Sequence, residues 1–161
     1  MLLYNIESKT RKSLDHPSLS KKEEDELCQI LSKSPLILTG DISTYFLSCK
    51  GLKRKNARTL ISQNTLLKST AALRSILCLK RNHLKKPRGR ISQKQSCKLI
   101  LFLQTFANAH EALGSKALAE EWLTHPVIAL CNQKPIDLLI NEIGHQAVNI
   151  VLLRIKHGVY T

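Results

Sequence analysis

The chain has 161 residues, 43% of them apolar but only 4% aromatic, enough for a real core built mainly from Leu, Ile, Ala and Val. That mix favours packed helices over a β-sandwich, and no run approaches the ~20 apolar residues of a membrane span. The five cysteines, Cys28, Cys49, Cys78, Cys97 and Cys131, are odd in number and form no C-x-x-C pair. Neither a zinc cluster nor a disulfide framework is therefore expected, and the thiols read as residents of a reducing cytoplasm.

The formal net charge is +13, and it is unevenly spread. Residues 1–109 carry 21 lysines and arginines against 7 acids, whereas residues 110–161 carry 4 against 5. No acid lies between Asp41 and Glu111. Solvated helical faces usually mix signs, because like charges at i, i+4 repel. An external polyanion, nucleic acid first, is the natural counter-charge for such a window.

In chain order, residues 1–35 read as polar and irregular, with a charged helix start near Lys22–Leu31. The following "PLILTGDISTYFLSCKG" is compatible with strand or helix. From Asn56 the pattern is helical. "NARTLISQ" puts Ala57, Leu60 and Ile61 on one face, and "STAALRSILCL" does the same for Ala72, Leu73, Ile76 and Leu77, capped by Ser69 or Thr70. "KRNHLKK" follows after two or three residues and stops at Pro87. Ser92 and Gln95 form a capping-box pattern opening a helix over 93–112, with Leu99, Leu103, Phe106 and His110 at helical period. Gly114-Ser115 ends it and starts "KALAEEWL", where Trp122 is the expected core anchor. Pro135 opens "PIDLLINEIG", with Gly144 as its stop. A last helix, about 145–157, buries Ala147, Val148, Val151, Leu152 and Ile155 and ends at Gly158.

Two constellations carry function. The first is "STAALRSILCLKRNHLKKPRGR", two short helices joined by a tight turn, the second crowded with polar and basic side chains. That fits a helix-turn-helix, whose second helix enters the major groove. Lys80, Arg81, Asn82 and His83 would face base edges, Lys85, Lys86, Arg88 and Arg90 would hold phosphates, and Arg74 belongs to the same DNA-binding surface. There is no phosphate-cradling glycine motif and no nucleophile–base arrangement, so no catalytic residue, metal or cofactor is assigned.

The second lies in residues 110–161. The pattern A-x-x-W-L-x-x-P, a Leu, P-x-D-L-L, a Gly, a Val and L-x-R-I-x-H-G-V-Y is carried by Ala119, Trp122, Leu123, Pro126, Leu130, Pro135, Asp137, Leu138, Leu139, Gly144, Val148, Leu152, Arg154, Ile155, His157, Gly158, Val159 and Tyr160. It resembles the toxin-binding domain of the Xre/MbcA/ParS antitoxins. More weakly, Leu77–Lys86 parallels the family's helix-turn-helix "L-G-I-S-R-x-T-L-x-R-R". Cys78 stands at its turn glycine, and Cys131-Asn132 at a glycine pair before Pro135. Cysteine is poorly suited to positive φ, whereas Asn132 can adopt it.

The resemblance implies an all-α protein: an N-terminal extension (1–55), a basic Xre-like helix-turn-helix bundle (56–109), and a small helical toxin-binding domain (110–161). It further implies a cytoplasmic antitoxin of a type II toxin–antitoxin system, a homodimer that binds operator DNA and represses its own promoter. The implied partner is a RES-domain toxin that degrades NAD. Arg154, His157, Gly158, Val159, Tyr160 and Thr161 would occlude that toxin's active site. The alternative is a stand-alone helix-turn-helix regulator whose C-terminal domain only dimerises.

Overall fold

The computed structural model describes residues 21–33, 50–86 and 88–159, and among these the fold is all-α with only two isolated β-bridges, Lys53↔Arg90 and Val127↔Gln133. No described helix is long and apolar enough to cross a membrane. The segment left open between strand and helix falls largely at residues 34–49, outside the described residues.

The helices are α1 (Lys21–Lys33), α2 (Arg54–Gln63), α3 (Thr70–Ser75), α4 (Arg81–Lys85), α5 (Gln93–Leu113), α6 (Lys116–Thr124), α7 (Pro135–Leu138) and α8 (Glu142–Lys156). Their starts follow the local chemistry. Ser69 accepts a hydrogen bond from Ala72 N, and Ser115 one from Leu118 N. Ser92 and Gln95 form the full reciprocal box, with Gln95 N donating to Ser92 Oγ and Ser92 N to Gln95 Oε1. The end of α5 is also as expected, a left-handed Gly114 at φ 78°.

Helix α5 is the spine. One stripe, Ser96, Leu99, Ile100, Leu103 and Ala107, is buried, and so is a second, Phe102, Thr105 and Ala109. On the first stripe Ser96 Oγ accepts from Leu52 N at 2.8 Å. On the second, Thr105 meets His145 of α8, the helix against which α5 packs most extensively. The same helix thus runs unbroken through the expected domain boundary at 109/110. Further ties cross it: Lys116 Nζ donates to the Gln63 carbonyl at 3.1 Å, and Thr65 Oγ1 to Glu120.

Three sequence expectations change. Gly144 is not a stop: α7 ends at Leu138, Asn141 caps α8 by accepting from Gly144 N at 2.8 Å, and Gly144 lies in the first turn of α8. The physical reason for glycine there is space, because a Cβ would sit 1.8 Å from the Leu138 carbonyl oxygen. Trp122 is only half-buried and packs at the edge of a core whose fully buried α6 members are Ala119 and Leu123. Cys78, Cys131 and Asn132 all take positive φ (51°, 55° and 59°), so the backbone keeps a left-handed turn at each of these positions despite the cysteines. Such residues cost on the order of 1 kcal/mol or more each, offset here by the buried Ile76, Leu77 and Leu79 around the first turn.

Part of the 1–55 extension belongs to the core. Helix α1 packs on α2, with Cys28 buried and its thiol pushed up to about 11 by that burial. Glu24 is 4% exposed and accepts from both guanidinium nitrogens of Arg90, at 3.0 and 2.8 Å. It also accepts from the backbone N of Lys53, the N-cap of α2, which has no capping side chain of its own. Asp25, its carboxyl held below the usual range by the Asn56 amide and then Lys53, sits beside the same helix start. The acids missing from the basic window are supplied from α1, and they favour the positive end of α2.

Candidate functional site

The basic site is built on the α3–turn–α4 segment. Ile76, Leu77, Leu79 and Leu84 are buried and fix the two short helices. Gln95 Nε2 holds the turn by donating to the Cys78 carbonyl at 2.9 Å. On the outside lie Lys80, Asn82, His83, Lys85, Lys86 and Arg88, all exposed. Arg74 and Arg81 lie in α3 and α4, but their side chains fall outside the described residues.

Arg90 does not join this set. Its guanidinium is held by Glu24 and by the Gly51 carbonyl (2.6 Å), so its charge is met within the chain. Two arginines that sequence reasoning passed over position the site: Arg58 donates to the Leu84 carbonyl and Arg54 to that of Arg88. With Arg54 N to Gly89 O and Ile91 N to Leu52 O, both 2.9 Å, they anchor α4 and the loop after it to the α2 start. Between α2 and α4 lies a groove of about 390 Å³ with Arg58, Lys68 and Lys85 around apolar Ile61, Leu67 and Leu84. No periodicity in the sequence could have revealed these contacts, since each spans 26 residues or more.

The second site is the end of α8. Gly158 at φ 68° turns the chain out of the helix, with Gly158 N donating to Ile155 O (3.1 Å) and Val159 N to Arg154 O (2.9 Å). Those two bonds make a Schellman cap. Arg154, His157 and Val159 are exposed, Val159 by 53%. Tyr160 and Thr161 lie outside the described residues. Lys156 is turned inward to Glu111 of α5 at 2.9 Å.

Behind this surface a buried polar chain joins α8 to α5. His145 Nδ1 meets Thr105 Oγ1 at 3.0 Å, Asn149 Nδ2 reaches the same hydroxyl at 3.4 Å, and Asn108 Nδ2 donates to Asn149 Oδ1 at 3.1 Å. Burial lowers the His145 pKa to about 4, so the ring is neutral near pH 7; the Leu139 carbonyl pulls the other way without hydrogen-bonding Nε2. The domain also exposes Ile128 (87%), at the tip of a loop closed by Asn132 N to Val127 O, together with Ile143, Ile150 and Leu153 on α8. Sequence reading attended to the buried stripe of α8 and left this outer one unassigned. Among the described residues no group of three or more His, Cys, Asp or Glu could hold a metal.

Residues 108–158 match the antitoxin Xre/MbcA/ParS C-terminal toxin-binding domain. The match covers about the C-terminal third of the chain. The match opens inside α5 and closes at the left-handed Gly158, so it takes in the half of α5 that packs on α8 together with α6, α7 and α8. No curated protein matches the chain.

Proposed function

We propose that the protein is the antitoxin of a type II toxin–antitoxin pair, which silences its toxin with the end of α8 and binds promoter DNA with its basic half. The observation that carries the reading is the Schellman turn at Gly158 within a matched toxin-binding domain. It turns the half-exposed Val159 out of the helix, beside Arg154, whose side chain has no partner among the described residues, and the exposed His157. A hydrophobic side chain fixed in water beside a free guanidinium suits insertion into another protein's cavity. Val159, Tyr160 and Thr161 would then plug that cavity and exclude substrate. A RES-domain, NAD-degrading toxin as the partner follows from the family resemblance.

Autorepression rests on the exposed Lys80, Asn82, His83, Lys85, Lys86 and Arg88 around a short-helix pair with a left-handed turn. Cytoplasmic location and a homodimer complete the reading.

The test is truncation after Gly158 in cells that carry the cognate toxin. Truncation removes the Val159 N–Arg154 O bond of the cap but no buried side chain, so the truncated protein should lose no more than about 1 kcal/mol of stability and keep DNA binding while losing neutralisation. A lowered melting temperature with neutralisation intact would show that the tail packs on its own domain, and the plug would be abandoned.

A further inference from the structure

Apart from the basic surface and the end of α8, one cavity is still without a role. Its volume is about 410 Å³, and it opens between α5 and the joint where α7 gives way to α8. Small organic ligands occupy pockets of about 300–1,000 Å³, so the space suffices for one. Its α5 wall carries Lys94, Lys98 and Leu101, which at i, i+4 and i+7 form one stripe of the helix. Ile140, Glu142 and His145 line the other wall.

The lining is part apolar and part charged. Leu101 and Ile140 supply the apolar surface, and Ile140 is 46% exposed. Lys94 is exposed and has no partner among the described residues. Lys98 Nζ donates to the Ile140 carbonyl at 3.0 Å and to Cys78 Sγ at 3.4 Å, which leaves one of its three N–H bonds unused. Glu142 offsets one of the two cations. The positive end of α8, which begins at Glu142, tips the balance towards an anion. His145 is 4% exposed, and its Nε2 has no hydrogen-bond partner among the described residues. Buried polar atoms are nearly always satisfied, so an orphan in a side chain that lines a cavity points to a bound polar group.

We propose that this cavity binds a small amphipathic carboxylate, its apolar body between Leu101 and Ile140 and its charge on Lys94 and Lys98. A carboxylate is a far better acceptor for an ammonium than a thiol sulfur. Occupancy therefore draws Lys98 away from Cys78, in the turn between α3 and α4, and the bound molecule is felt at the basic surface. The inference rests on neither the toxin nor the DNA reading, and it is tested with both absent.

The probe is octanoate, with uncharged octanamide as its match, each titrated into the isotope-labelled full chain while backbone amide shifts are followed by NMR. Octanoate should bind saturably and move Lys98, Leu101, Ile140 and Glu142, with Cys78 moving alongside. Octanamide should bind about tenfold more weakly or worse, since it lacks the charge-assisted hydrogen bonds. Lys94→Glu, at an exposed side chain, should keep the wild-type circular dichroism and weaken octanoate roughly threefold to tenfold. Leu101→Phe, which adds bulk to the apolar wall, should weaken both probes. Octanoate that at millimolar concentration moves no cavity residue, or moves only the exposed Ile143, Ile150 and Leu153, would overturn the proposal. So would octanamide of equal affinity, or a Lys94→Glu chain that binds octanoate as tightly as wild type.

Discussion

Replacing Gly144 by alanine sets two physical effects against each other with opposite signs. Gly144 occupies the first turn of α8, where helix propensity alone favours alanine by about 1 kcal/mol. The added Cβ, however, would lie 1.8 Å from the Leu138 oxygen and 2.7 Å from its carbon, both backbone atoms at the end of α7. Real Cβ contacts stay beyond 3.0 Å, so the α7–α8 joint must open by more than an ångström. Overpacking of this kind costs about 1–3 kcal/mol, and displacing Asn141 from its cap adds about 1. The net expectation is destabilisation by about 1–3 kcal/mol, or roughly 2–12 °C in Tm for a chain of this size. Gly114→Ala is the control: nothing lies within 4 Å of its Cβ, so only left-handed strain of about 1–2 kcal/mol applies. Thermal and urea unfolding followed by circular dichroism measure all three proteins. A Gly144→Ala chain as stable as wild type, or more so, would refute the close-approach argument and restore Gly144 as an ordinary helix residue.

Glu24→Gln should cost about 1–3 kcal/mol in urea unfolding, since Arg90 loses its charged partner but keeps partial access to water; an unchanged midpoint would mean that α1 adds nothing to the basic half. DNA binding should fall ~10³-fold or more between 50 and 200 mM salt. Asn82→Ala should relax sequence preference at a cost of roughly 1–3 kcal/mol, while Lys86→Ala weakens all sequences alike; a flat salt response removes phosphate contact as the explanation of the charge. Burial lowers the His145 pKa to about 4 in the folded chain from the ordinary 6.5, so the unfolded chain binds the proton first. The stability from keeping the ring neutral is fully present above pH 6.5 and is lost as pH falls towards 4. A His145→Gln chain should show a shallower loss across that window by equilibrium unfolding, and an identical slope would refute the assignment.

What was legible in the sequence was local. Ser92 with Gln95, Ser69, Ser115, Gly114 and Gly158 mark their caps because the hydrogen bonds involved span only a few residues. The buried face of α2 and the inner stripe of α8 follow from period alone. The α7–α8 break was misplaced because Asn141 and Gly144 look alike as stop signals until the Leu138 carbonyl is seen against Gly144. Arg90 read as a phosphate contact because Glu24, its partner, lies 66 residues away. The outer stripe of α8 carries the same residue types as a core stripe, and only the packing tells them apart.

The unbroken run of α5 bears on how such proteins can be recombined. A gene fusion that cuts at residue 110 would sever a helix about 31 Å long in its last turns. The buried Thr105–His145 pair would be divided between the two fragments. A splice ahead of Ser92 keeps the spine whole but parts Ser96 from Leu52 and Gln95 from the Cys78 turn, so exchange should succeed only between N-terminal halves that present the same backbone groups to it. On the proposed function, specificity for promoter and for toxin would then be inherited with a fixed spacing, and a lineage that changes one would have to accommodate the same rod.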